Sequence, residues 1–152
     1  MTITKAVTDV LNCTIHSIKS VIPIPLQISK PSMISNAYYH DSIAVLIGMT
    51  GDIRGRIMID GQEHVFAQIG SAMFGMPLEG EMLESFSGEL GNMIAGHLST
   101  QVFQDGFSMD ITPPTVMSGN SKVSGFDKAF RLPILLQEVG ELTIILMVDQ
   151  NI

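Results

Sequence analysis

The order of helical and strand-like segments along this chain permits few folds. Apolar residues recur at helical spacing over residues 3–18, 62–74 and about 82–104. Three strand-like segments lie between the first two helices, and three more follow the third. A helix, three strands, two helices and three strands favour an α+β fold. We expect a mostly antiparallel six-stranded sheet packed with about three helices.

The clearest strand signal is a hairpin. A nearly continuous apolar run covers residues 42–49, Thr50-Gly51-Asp52 predicts a tight turn, and residues 53–60 return with apolar alternation. Gly55 in the returning strand predicts a bulge or a close approach of another backbone. The other predicted strands cover residues 26–28 with an extension toward Met33, 107–112 continuing to 117, 129–137 and 141–148.

Three features predict where the later strands end or bend. Residues 119–125 are polar and contain two glycines, which predicts a loop. Pro133 lacks an amide hydrogen, so it predicts an edge strand or a bulge. Val139, Gly140 and Glu141 predict a tight hairpin turn.

Composition limits the class of protein. With 152 residues, of which 45% are hydrophobic and 15% charged, we expect one domain spanning residues 1–152. A formal net charge of -7 with scattered basic residues argues against a nucleic-acid partner. Cys13 is the only cysteine, and no secretory leader or membrane-spanning run is evident. We therefore expect a cytoplasmic protein without a membrane partner.

The third helix carries unusual chemistry on its polar side. At about 100° per residue, one side is apolar and is formed by Phe86, Leu90, Met93, Ile94, His97 and Leu98. The other side, here called the polar stripe, is formed by Ser85, Glu89, Asn92, Gly96 and Ser99. Glycine inside a helix costs about 0.5–1 kcal/mol relative to alanine. Because Gly88, Gly91 and Gly96 all lie in this helix, we expect them to serve the approach of a partner.

Other constellations have simpler explanations. Glu-x-x-Asn alone is typical of a hydrated helix face. His40, Asp41, His64 and His97 lack compact metal-ligand spacing, and we expect His97 to be a partly buried, hydrogen-bonded histidine. Four glutamates near the start of the third helix fit favourable placement near the helix dipole, namely Glu79, Glu81, Glu84 and Glu89.

The first helix repeats the spacing of the polar stripe. Lys5, Asp9, Asn12 and His16 correspond in spacing to Ser85, Glu89, Asn92 and Gly96. Chance explains four loosely matched positions, and a decayed second copy of the motif is the alternative. Because His16 is bulky where the third helix has glycine, we expect no activity there.

The third helix, residues 109–116 and residues 48–55 together resemble the CheX branch of the CheC/CheX/FliY family of chemotaxis phosphatases. The family motif is Asp or Ser, three residues, Glu, two residues, Asn, two apolar residues and a later Gly. Its positions are filled here by Ser85, Glu89, Asn92, Met93, Ile94 and Gly96. The likeness extends over nearly the whole chain.

The resemblance implies an α+β fold, one active helix per subunit and a homodimer. It implies hydrolysis of the aspartyl-phosphate of a CheY-type receiver domain, with Asn92 orienting the attacking water and Glu89 pairing with a receiver lysine. Ser85, Gly96 and Ser99 would form the docking face. The Mg²⁺ would be supplied by the receiver, so no cofactor is expected on this chain.

Two alternatives remain open from the sequence. The chain could be a non-catalytic adaptor or a relative of the flagellar switch proteins that has kept the fold, since fold alone does not decide function. A ligand-binding sensor domain has little support. The intact Glu89 and Asn92 favour catalysis over both.

Overall fold

The computed structural model describes residues 5–149. Three helices and eight strands follow one another within this range. In chain order they are α1 (Lys5–Val21), β1 (Leu26–Ile28), β2 (Ser32–His40), β3 (Ile43–Gly51), β4 (Gly55–Gly61), α2 (Glu63–Phe74), α3 (Gly80–Gln104), β5 (Met109–Ile111), β6 (Thr115–Ser118), β7 (Ser121–Leu136) and β8 (Gly140–Val148).

The strands form one antiparallel sheet in the order β1-β7-β8-β4-β3-β5. β2 continues beside β7, and β6 continues beside β3. The main apolar core contains the buried faces of the helices and of the central strands, including Ile47, Ile57, Ile69, Leu90 and Ile144. The predicted α+β class is confirmed, although the sheet has eight strands in the described residues rather than six.

The predicted hairpin is β3 and β4, paired from Ile43 opposite Gly61 to Met49 opposite Gly55. Gly55 has a φ of 150°, and a Cβ at this position would overlap the carbonyl oxygen of Met147 in β8. The close approach predicted for Gly55 is therefore confirmed, because the backbone of the neighbouring strand takes the space of a side chain.

The outer strands differ from the prediction. Most of β2 was not expected, because its exposed and half-buried polar residues hide the apolar alternation, and Asn36 interrupts the ladder with a positive φ of 74°. β7 begins at Ser121, so most of the predicted loop 119–125 is strand paired with β2. The predicted strand 107–117 is divided into β5 and β6 around Pro113 and Pro114.

Pro133 lies in an interior strand, not at an edge and not in a bulge. Its carbonyl accepts a hydrogen bond from Ser29 N at 2.9 Å on the side of β1 and β2. In an antiparallel strand the N and O atoms of one residue point to the same side. The missing N–H therefore faces the gap where pairing passes from β1 at Ile134 to β2 at Arg131, and no ladder bond is lost.

The second helix is as predicted at both ends. Gln62 is its N-cap residue, and Gly75 ends it in the left-handed conformation with φ 72°. Val65, Phe66 and Ile69 are buried, whereas Ala72 is exposed, contrary to the prediction. No helix in the described part of the chain is both long and apolar enough to cross a membrane.

Candidate active site

Helix α3 packs against α1 and the sheet with its apolar side. Phe86, Leu90, Ile94 and Leu98 are buried, as predicted. Met93 is 37% exposed, contrary to the prediction. It follows Glu89 by four residues, so the helical repeat puts its side chain on the same side as the polar stripe.

Two of the three glycines serve packing within the chain. A Cβ at Gly91 would lie 2.6 Å from Val45 Cγ1, and one at Gly88 would lie 3.1 Å from Val116 Cγ2. Both residues are buried against the sheet. The expectation that these glycines admit a partner is wrong for Gly88 and Gly91, because they let α3 lie close to β3 and β6.

Gly96 differs from the other two glycines. A Cβ built there meets nothing within 4 Å. The helix therefore has a gap in its side-chain surface at Gly96, one turn after Asn92, that the rest of the described chain does not fill. This is the local shape that a closely approaching partner would require.

The polar stripe runs from exposed to half-buried along α3. Ser85 and Glu89 are exposed, and Asn92, Gly96 and Ser99 are half-buried. The Ser99 hydroxyl donates to the carbonyl of Met109 in β5. Ser99 thus ties α3 to the strand at one border of the stripe.

The carboxylate and the carboxamide of the polar stripe have no side-chain partner within the described residues. Within residues 5–149, neither the Glu89 carboxylate nor the Asn92 carboxamide makes a side-chain hydrogen bond or ion pair. Three residues apart on one helix, they are neighbours on its surface. Helix α3 thus holds an unpaired carboxylate, which accepts hydrogen bonds, beside a neutral carboxamide, which both donates and accepts them.

The flank of α3 toward α1 is fixed by buried polar contacts. His97 Nδ1 and Ser17 Oγ are 3.1 Å apart, and Ser17 Oγ donates to the Cys13 carbonyl. His97 is therefore the donor to Ser17, which confirms the expectation of a hydrogen-bonded histidine. Cys13 Sγ lies 3.3 Å from Asp105 Oδ2, and burial, together with this carboxylate, raises the pKa of the Cys13 thiol to about 12.

The corresponding face of α1 is built differently. Lys5 Nζ donates to Asp9 Oδ2 at 2.8 Å, so the carboxylate that matches Glu89 in spacing is already paired. The His16 ring lies 5.5 Å from the His97 ring, centroid to centroid, where a glycine would leave a gap. Asn12 is exposed.

Sequence reasoning missed an apolar pocket beside the polar stripe. It has a volume of about 730 Å³ and is open to solvent. We call it the Phe74 pocket; its lining residues are Phe74, Met76, Leu78, Glu81, Met82, Ser85, Phe86 and Glu89. The available signal was the number of large apolar residues in and around the turn between α2 and α3, because a surface turn is not expected to bury them.

The part of the chain that the structure describes contains no set of side chains suited to bind a metal ion. No group of three or more His, Cys, Asp or Glu side chains there could hold a metal ion.

Comparisons with known proteins identify related sequences. The family model described as "Chemotaxis phosphatase CheX" matches residues 43–128. A curated protein from Thermotoga maritima, "CheY-P phosphatase CheX", is 33% identical over 135 residues, which is 86% of each chain.

Solved structures share the fold at lower sequence identity. A CheC-like superfamily protein from a Shewanella species has a TM-score of 0.79 at 23% identity, covering 97% of this chain and 99% of that one. A CheX–CheY–BeF3–Mg complex from Borrelia burgdorferi contains a chain with a TM-score of 0.78 at 22% identity, covering 96% of this chain and 99% of that one.

Proposed function

This chain belongs to the CheX family of chemotaxis phosphatases, and we propose that it hydrolyses the aspartyl-phosphate of a CheY-type response regulator. The hydrolysis would end a chemotaxis signal or a related two-component signal. The observation that carries the proposal is the pair formed by the exposed Glu89 and the half-buried Asn92, whose side chains have no partners in the described chain and lie next to the gap at Gly96.

Asn92 is suited to orient the attacking water. An aspartyl-phosphate is already activated, and its loose transition state asks mainly for positioning and electrostatic stabilisation. The Asn92 carboxamide accepts a hydrogen bond from water and directs it in line with phosphorus. As a neutral group it does not repel the phosphoryl oxygens.

Glu89 is suited to hold the receiver in register. A carboxylate directed at a phosphoryl group would be repelled, whereas a lysine beside the phosphorylated aspartate would be attracted. A charge-assisted hydrogen bond between Glu89 and this lysine fixes the relative position of the two half-sites. Gly96 allows the backbones to approach, and Ser85 borders the contact.

The remaining parts of the reaction lie outside this chain. The Borrelia complex contains CheY, BeF3 and Mg together with the CheX relative. We propose by analogy that the receiver brings Mg²⁺, which neutralises charge on the phosphoryl group, while this chain binds no cofactor. We also propose a cytoplasmic homodimer joined through a sheet edge, either β1–β2 or β5–β6, since unpaired edges favour strand addition.

The test is catalytic turnover. The chain is added at one-tenth of the concentration of a phosphorylated receiver, and release of inorganic phosphate is followed. We expect complete hydrolysis, with each molecule acting many times. In parallel, calorimetry measures binding to the same receiver carrying beryllofluoride. Binding without faster phosphate release would contradict the proposal and identify a non-catalytic adaptor.

A further inference from the structure

We propose that the Phe74 pocket is a second contact for the same receiver and takes one apolar side chain, flanked by a basic residue, from the receiver surface beside the phosphoaspartate. This proposal rests on the proposed function. It assigns substrate affinity and receiver choice to residues outside the family motif.

Three large apolar side chains are exposed to solvent around the pocket. Phe74 is 60% exposed, Met76 48% and Met82 57%. They lie together in the last turn of α2, the connecting turn and the first turn of α3. Exposed single apolar residues are ordinary, but a contiguous group around a cavity is typical of an interaction site.

The floor of the pocket is firmly built. Leu78 and Phe86 are 7% and 6% exposed, and the Phe74 ring meets the Phe86 ring edge-on with centroids 5.7 Å apart. A Cβ at Gly70 would lie 2.5 Å from Leu78 Cδ1 and 3.3 Å from Phe86 Cδ2. The absence of a side chain at Gly70 therefore lets the floor residues lie deep against α2, and the cavity exists before a partner binds.

The pocket is continuous with the polar stripe. Ser85 and Glu89 belong to both, so a receiver whose lysine reaches Glu89 also covers the pocket mouth. Met side chains such as those of Met76 and Met82 at the mouth adapt to different apolar partners. The occupant is therefore assigned to the receiver.

Charge points to the same partner. Residues 57–121 contain no Lys or Arg, whereas Glu81 and Glu89 line the pocket and Glu79 and Glu84 lie close to it in sequence. An apolar cavity with acidic residues at its border favours an apolar side chain next to a cation and disfavours an acidic surface. The lysine that Glu89 requires is such a cation.

The experiment separates affinity from chemistry. Met82→Ser and Phe74→Ser are compared with the wild type for kcat and KM of phosphate release from one receiver. We expect KM to rise about tenfold for each variant and kcat to stay within about twofold, because the pocket binds ground state and transition state alike. Phe103→Ser is the matched control, since Phe103 is 73% exposed at the other end of α3 and should leave both constants unchanged.

A second measurement does not depend on catalysis. The dissociation constant for the beryllofluoride-bound receiver should rise about tenfold for Met82→Ser and not for Phe103→Ser. Equal binding by these two folded variants would overturn the proposal even if the wild type is an efficient phosphatase. If the wild type binds this receiver without hydrolysing it, the proposed function fails, whereas weaker binding by Met82→Ser still supports the pocket.

A competing occupant is a second copy of this chain. Sedimentation of Met82→Ser and of the wild type should give the same oligomeric state. A change in oligomeric state with unaltered KM would place a second copy in the pocket and overturn the assignment to the receiver.

Discussion

Helices α1 and α3 pack against each other and present similarly spaced polar residues, at positions 5, 9, 12 and 16 on α1 and 85, 89, 92 and 96 on α3. On α1 the carboxylate of Asp9 is paired with Lys5, and the last position carries the imidazole of His16. On α3 Glu89 has no partner in the described residues, and Gly96 leaves a gap.

In the proposed mechanism, a Glu or Asp spaced three residues before an Asn forms half of an active site only where two conditions are met. The carboxylate must have no partner in its own chain, so that it can pair with a cation of the receiver. The residue one turn after the asparagine must be small, so that the receiver can approach the helix. α1 fails on both points with the same residue spacing. Residue spacing alone is therefore a weak indication of an active site. Whether the carboxylate is already paired, and how large the side chain one turn later is, distinguish α3 from α1.

Apart from the two asparagine variants, Glu89→Gln should give the largest effect. Loss of the charge weakens the bond to the receiver lysine while the helix face keeps its shape. We expect kcat/KM to fall about 30- to 100-fold, which corresponds to about 2–3 kcal/mol. The matched variant Asp9→Asn should leave kcat/KM within about twofold. An equal loss in both would contradict the distinction between the helices.

Gly91→Ala tests whether the buried glycines of α3 are required for its packing against the sheet. Because the new methyl group would lie 2.6 Å from Val45 Cγ1, Val45 has to move within a packed core. We expect the free energy of unfolding to fall by about 1–3 kcal/mol. Urea unfolding measures it, and an unchanged or higher stability would show that Gly91 is not required for packing.

Gly96→Met should separate stability from activity. The new side chain meets nothing within 4 Å of its Cβ in the described chain, and methionine favours helix over glycine by up to about 1 kcal/mol. We expect the melting temperature to stay equal or rise while KM increases about tenfold. His16→Met on α1 should change neither the melting temperature nor KM. A Gly96→Met variant with full activity would exclude close docking at this position.

The pairing of Lys5 and Asp9 should have the smallest effect, and it depends on pH. The hydrogen bond to Asp9 raises the pKa of Lys5. The contribution of the Lys5–Asp9 pair to stability is therefore fully present below the usual lysine pKa of about 10.4. It is lost as the pH rises through the higher pKa that Lys5 has in the folded state. Unfolding curves of Lys5→Met and wild type should differ slightly at pH 8 and converge once the pH exceeds the raised folded-state pKa of Lys5, with phosphatase activity unaffected.

Much of the fold could be predicted because local patterns and tertiary structure agree. The hairpin of β3 and β4, the ends of α2 and the buried side of α3 follow from apolar periodicity and turn residues. β2 and the first half of β7 could not be predicted, because these two segments pair through the backbone while most of their side chains are polar or half-exposed. Pro133 was misassigned, since its position opposite the gap between β1 and β2 depends on tertiary pairing.

The candidate site could be predicted in its residues but not in its surroundings. Glu89 and Asn92 follow from their spacing and the family resemblance. The different roles of Gly88, Gly91 and Gly96 depend on which side chains of β3 and β6 face them. The Phe74 pocket depends on the depth that Gly70 allows, which no local pattern indicates.

In the proposed mechanism α3, and not α1, performs the chemistry through its asparagine. The most direct measurement is the decay of a phosphorylated receiver in the presence of wild type, Asn92→Ala or Asn12→Ala at equal concentration. We expect Asn92→Ala to lose about 100-fold or more of the acceleration, whereas Asn12→Ala matches the wild type within about twofold. A folded Asn92→Ala variant that accelerates the decay as well as Asn12→Ala does would contradict it.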